Sequence, residues 1–100
     1  MTLGILVNTD RHRDDVIGIA EAAVRKGHKV ILFFMDRGCL LAMDEKVASL
    51  CAHDAVRMSL CDLNRQQLGI AREDYVPRIT CGSQYDNADM VREADRVIVL

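Results

Sequence analysis

The feature that most limits what this chain can fold into is an alternation. Short apolar runs are separated by stretches whose apolar residues recur every three or four positions. The runs Thr2–Val7, Lys29–Phe34 and 56–60 are rich in Val, Ile, Leu, Met and Phe and stop at polar turn residues, which predicts strands, the first two buried on both faces. Residues 78–81 form a shorter extended segment, and 96–100 predict a final buried strand. Between the first two runs, Val16, Ile17, Ile19, Ala20, Ala23 and Val24 make one helical stripe behind Asp14 and Asp15, and Gly27 ends it. Residues 43–52, 62–68 and 83–94 predict further helices, the second closed by Gly69, while 71–77 around Pro77 read as irregular.

Strands alternating with helices imply parallel strands joined by right-handed crossovers. The expected fold class is α/β, a three-layer α/β/α sandwich on a mainly parallel sheet of four to five strands. At 100 residues the chain is expected to be one domain spanning positions 1–100, because a second core would leave both halves too small. A net charge of -2 and only four aromatic residues offer no footprint for nucleic acid. The longest apolar run, Val30 to Met35, falls far short of the roughly 20 residues needed to cross a bilayer, and the N-terminus has no basic flank or small-residue cleavage site. A cytoplasmic protein is expected, and its four cysteines are expected to be thiols rather than disulfides.

In sheets of this type chemistry gathers at the carboxyl ends of the strands. His12, Cys39, Cys61 and Cys81 all fall there. Cys61 is the foremost candidate catalytic residue, because it lies where a strand gives way to a helix whose free amides and dipole favour a thiolate, with Asp62 as the expected N-cap. Against that stands the plain alternative of a small apolar residue at the end of a buried strand. Arg65, on the helical face of Asp62, would offset the neighbouring carboxylate. Cys39, preceded by Arg37 and Gly38, and Cys81, followed by Gly82 and Ser83, are supporting candidates, as are Arg37, Arg65 and His12. Cys51 shares an apolar helical face with Val47 and Leu50 and reads as structural, and His28 and His53 read as turn residues on the opposite edge. A zinc set of His12, Cys39, Cys61 and Cys81 lacks a close Cys-x-x-Cys pair, so no metal is expected. Nor is there a glycine-rich dinucleotide loop, a phosphate loop or a serine nucleophile elbow, and no cofactor is expected.

Four pieces taken in order resemble the DsrE/TusD family of small sulfur-relay proteins, which includes YchN-like members, along nearly the whole chain. They are Phe33-Phe34-Met35-Asp36-Arg37-Gly38, Val56-Arg57-Met58-Ser59-Leu60-Cys61, Asn64-Arg65-Gln66-Gln67-Leu68-Gly69, and Gly82-Ser83 leading to Ala94-Asp95-Arg96-Val97-Ile98-Val99. The resemblance implies a DsrE-like parallel sheet assembled into trimers or hexamers, or with related subunits. It also implies a sulfurtransferase-like cysteine, at the position of Cys61, that carries sulfane sulfur as a persulfide between donor and acceptor proteins. Many relatives carry a second cysteine where this chain has Asn64. Two other functions stay open on the residues: a non-catalytic scaffold or partner subunit, and a thiol-disulfide protein using Cys39 and Cys61.

Overall fold

Each apolar run becomes a strand of one sheet in the computed structural model, which describes residues 1–100. The strands are β1 (Thr2–Val7), β2 (Lys29–Phe34), β3 (Val56–Cys61), β4 (Thr80–Gly82) and β5 (Arg96–Val99). All pairings are parallel, in the order β4-β3-β2-β1-β5. The connections carry the helices α1 (Arg13–Arg25), α2 (Gly38–Leu41), α3 (Glu45–Ala48), α4 (Asp62–Gln67) and α5 (Gln84–Glu93).

The strand order dictates how the two faces are covered. From β1 to β4 the chain steps in one direction across the sheet, and right-handed crossovers put those three connections on one face; the return from β4 to β5 puts α5 alone on the other. Packing agrees. On the first face Ile5, Val7, Leu32, Phe34, Met58 and Leu60 bury themselves against Val16 and Ile17 of α1, Val47 of α3 and Tyr75. On the second, Ile31, Phe33 and Cys61 pack beneath Met90 of α5. The sandwich is therefore uneven, with 22 buried residues in the first cluster and 4 in the second. Where α5 does not reach, the second face is polar: Arg57, Ser59 and Thr80 line a groove bordered by Asp86, Asp89 and Glu93.

Local chemistry explains the element ends. Asp14 and Asp15 occupy the first turn of α1, where the dipole favours them, and Gly27 after that helix and Gly69 after α4 adopt φ of +83° and +72°, a region open to glycine at little cost. Ser83 caps α5: its hydroxyl accepts from the Tyr85 amide, and the Asp86 carboxylate reaches back to the Ser83 amide. Gly4 lets α5 settle on β1, since a Cβ there would lie 3.1 Å from both Ala94 Cβ and Met90 Cγ.

Several expectations need correction. The helix expected over 43–52 starts at Glu45, where extended Asp44 caps it by accepting from the Lys46 and Val47 amides, and it changes character at Ser49. It is one turn of α-helix followed by a 3-10 turn, Ser49–Ala52, and a further turn, α2, precedes it. The fourth strand begins at Thr80 rather than at residue 78. The last strand is not buried. As the product of the return crossover β5 lies at the sheet edge, with Val97 and Val99 exposed. Because β1 lies beside that edge, it too is only half covered, with Leu3 and Leu6 of intermediate burial.

Candidate functional site

β3 runs into α4 on one face of the sheet, and its neighbour β4 runs into α5 on the other. Loops that part in this way mark a switch point, the kind of place where open parallel sheets take their ligands. Cys61 is the last residue of β3, and Cys81 and Gly82 end β4.

Cys61 occupies the expected strand-helix junction, but as the N-cap of α4 itself, with Asp62 the first helical residue rather than the cap. Its thiol is not presented to solvent. The residue is only 4% exposed, packed with Ile31, Phe33 and Met90, and half-buried Leu6 and Met35 lie against the same cluster. Met35 is in turn contacted by the Gln84 side-chain amide at the start of α5. The cover over Cys61 thus includes an unbranched, adaptable side chain.

Cys39 lies on the other face of the sheet, fully buried in the main cluster. Its Sγ approaches the carbonyl oxygens of Phe34 at 3.7 Å and Cys61 at 3.9 Å, so it touches the Cys61 backbone while the Cys61 side chain belongs to the α5 face. Burial is the main cause that pushes its thiol up to about 11, with the nearby Cys61 thiol adding to it. The Tyr75 hydroxyl donates 2.8 Å to the Cys39 carbonyl, tying the irregular segment after α4 to the turn after β2.

Cys81 is the one cysteine that is not buried. Paired with Leu60 in the sheet, it faces the main core, on the side of Cys39, and lies beside the Asp62 carboxylate. Partial burial raises its thiol, and Arg72 and Arg65 work in the opposite direction to Asp62. Arg65 donates through Nε to Asp62 at 2.7 Å and through Nη1 to the Ile70 carbonyl at 2.6 Å, and Gln66 donates to the other Asp62 oxygen at 2.7 Å. These bonds, Arg65 foremost, hold the Asp62 carboxyl below the usual carboxylate range. The offset between Arg65 and Asp62 expected from their spacing is thus a direct ion pair.

The remaining candidates sit elsewhere. Arg37 pairs with Asp10 at 3.2 Å, and His12 stands at the N-cap position of α1 without a side-chain capping bond, its Nδ1 3.4 Å from the Asp15 carboxylate. Neither is placed on the Cys61 thiol, and His12, Cys39, Cys61 and Cys81 do not converge into a ligand set. Cys51 is structural, buried with its Sγ 3.1 Å from Met58 Sδ. Asn64 accepts the Asp36 amide at 2.8 Å and so secures a turn in which Asp36 has φ +48°. Tyr75, Arg72 and Met35 were not singled out by sequence reasoning. Tyr75 and Arg72 come from the segment without periodicity, and Met35 from a strand end, so no local signal marks them.

No known family profile matches this sequence, and no curated protein matches it. The fold, however, is a known one. The crystal structure of the YchN protein from E. coli superposes with a TM-score of 0.78 and 13% identity, covering 100% of each chain. This chain therefore has the YchN-type parallel α/β fold, with thiols gathered around its switch point.

Proposed function

We propose that this protein is an intracellular sulfur-relay protein, a sulfurtransferase-like carrier that holds sulfane sulfur as a persulfide on Cys61. The observation that carries the reading is the position of Cys61 at the β3-β4 switch point, with Cys39 and Cys81 near its backbone on the opposite face of the sheet, in a chain of YchN-type fold. Four free thiols suit a reducing compartment. The reaction needs no cofactor. The Cys61 thiolate forms a bond to the outer sulfur of a donor persulfide, the donor S–S bond breaks, and the donor thiolate leaves; transfer to an acceptor thiol is the reverse with a new partner. Because Cys61 is buried, loading requires Met35 and the start of α5 to give way, a local opening rather than a global one. Assembly with further copies or related subunits fits the exposed Val97 and Val99 at the free edge, and the molecular mass in solution tests it.

One observation favours a second reading, that of a non-catalytic partner subunit: the 4% exposure of Cys61. The thiol-disulfide alternative pairing Cys39 with Cys61 finds less support, since the two side chains belong to opposite faces of the sheet. Incubation with a small-molecule persulfide followed by intact mass spectrometry separates the first two. A gain of about 32 Da, one sulfur atom, on the peptide that carries Cys61, absent from that peptide in Cys61→Ser, supports the relay. A wild type in which that peptide gains no sulfur ends the assignment, and one in which no cysteine gains sulfur leaves the partner subunit.

A further inference from the structure

The connections that leave β3 and β4 part at the switch point, and Met35, the residue after β2, is tied to both. The register that pairs Phe34 with Leu60 brings Met35 beside Cys61 on the α5 face, and Met35 packs against the cluster that encloses that thiol. On the α5 side, the Gln84 side-chain amide lies 3.9 Å from Met35 Sδ. On the α4 side the hold passes through the backbone, where the Asp36 amide donates to Asn64 Oδ1 at 2.8 Å. This second hold acts on a strained residue. Asp36 is the one non-glycine residue with a positive φ, at +48°, and an L residue stays in that region only while its surroundings require it. The rest of the turn is fastened to β1 and to itself: the Met35 amide donates to the Val7 carbonyl at 2.9 Å and the Gly38 amide to the Met35 carbonyl at 2.8 Å, while Gly38 sits where a Cβ would collide with the Val7 carbonyl oxygen. The Asn64 bond is therefore the one hydrogen bond that joins this turn to the helix starting at Cys61, and an open pocket lined by Asp36, Arg37, Asn64, Gln67 and Leu68 leaves the turn room to shift once it breaks.

We propose that Asn64 is the positioning residue that governs access to Cys61. By holding Asp36 in its left-handed conformation it keeps Met35 seated beside the thiol, and release of that bond lets Met35 swing aside and admit a thiol-reactive molecule. The unbranched Met35 side chain can move in this way without displacing the sheet beneath it. The latch takes its purpose from the sulfur-relay reading, on which it rests, and names the contact that loading of Cys61 has to break.

Iodoacetamide labelling of the full chain, mapped by peptide mass spectrometry, reads the opening directly, because an enclosed thiol reacts only through open forms. Asn64→Ala removes the acceptor at a helical position that favours alanine, so α4 is expected to form, and native circular dichroism checks it. Its Cys61 is expected to react at least about threefold faster than in the wild type, the scale of one lost hydrogen bond, with Cys39 and Cys51 still protected. Asn64→Asp keeps an acceptor oxygen and is expected to return Cys61 to the wild-type rate, a rescue that a general loosening of α4 would not give. Met35→Ala removes the cover while leaving the latch, and is expected to speed Cys61 at least as much. An unchanged Cys61 rate in Asn64→Ala or in Met35→Ala overturns the inference, as does an acceleration shared by Cys39 and Cys51 or a failed rescue by Asn64→Asp. Parallel loading with sodium polysulfide separates the latch from the relay. Faster alkylation in Asn64→Ala with no sulfur on the Cys61 peptide of any variant supports the latch and overturns the relay reading, whereas sulfur on that peptide at the same rate in wild type and Asn64→Ala overturns the latch and leaves the relay standing.

Discussion

Cys61 and Cys81 end neighbouring strands one step out of register, since Cys81 pairs with Leu60, and their side chains therefore belong to opposite faces of the sheet. One thiol is enclosed under α5 and the other is partly open beside Asp62.

The first prediction concerns thiol reactivity. Iodoacetamide at neutral pH should modify Cys81 first and leave Cys39 and Cys51 until the protein unfolds. A rate advantage of about tenfold for Cys81 over Cys61 corresponds to a local opening of ~1.4 kcal/mol. Peptide mapping of a time course checks the order; equal rates at all four cysteines would mean that the fold breathes as a whole.

Packing at β1 gives the second. Gly4→Val would push a side chain into Ala94 and Met90, lifting α5 from the sheet, and should cost about 1–3 kcal/mol in urea unfolding. Since Met90 also covers Cys61, the same variant should expose Cys61 to alkylation, so a stability loss unaccompanied by faster labelling would contradict the role given to α5 as its cover.

Acid and alkali should act on different residues. The Asp62 carboxyl is depressed in the folded state, so its contribution is present above the unfolded value of about 3.9 and fades as pH falls below it; Asp62→Asn should flatten that acid slope. Cys39 runs the other way. Its thiol is raised to about 11 from an ordinary 9.0, so the stability it brings is complete below the lower value and is lost as pH climbs between the two. Denaturant titrations of Cys39→Ser should lack that alkaline loss.

Tyr75→Phe deletes the hydroxyl that donates to the buried Cys39 carbonyl. A loss of about 1–2 kcal/mol is expected, in keeping with an unsatisfied buried acceptor. Hydrogen exchange should rise around residues 70–79, where that bond fastens the chain to the core, and an unchanged exchange pattern would show the bond to be dispensable.

Much of the architecture was legible in the chain because its cues are local. Apolar runs of strand length between helical stripes, acids in the first turn of α1, and glycines at 27 and 69 mark the elements where they occur. Reading failed in two places: the helix expected over 43–52 changes from α to 3-10 at Ser49, and 96–100 looks like a core strand although β5 lies at an edge. The site was legible in the same partial way. Cys61 could be placed at a strand-helix junction from its neighbours, but its burial under Met90 depends on a residue 29 positions away, and Tyr75 reaches Cys39 across an interval of 36.

By itself the sequence determined which segments would be strands and helices and which strand ends would carry thiols, because periodicity and turn chemistry act between residues a few positions apart. Only the tertiary structure decided which thiol faces water. That depends on the order of strands in the sheet and on the single crossover sent to the second face, a choice made by long-range packing that no short stretch of the chain encodes.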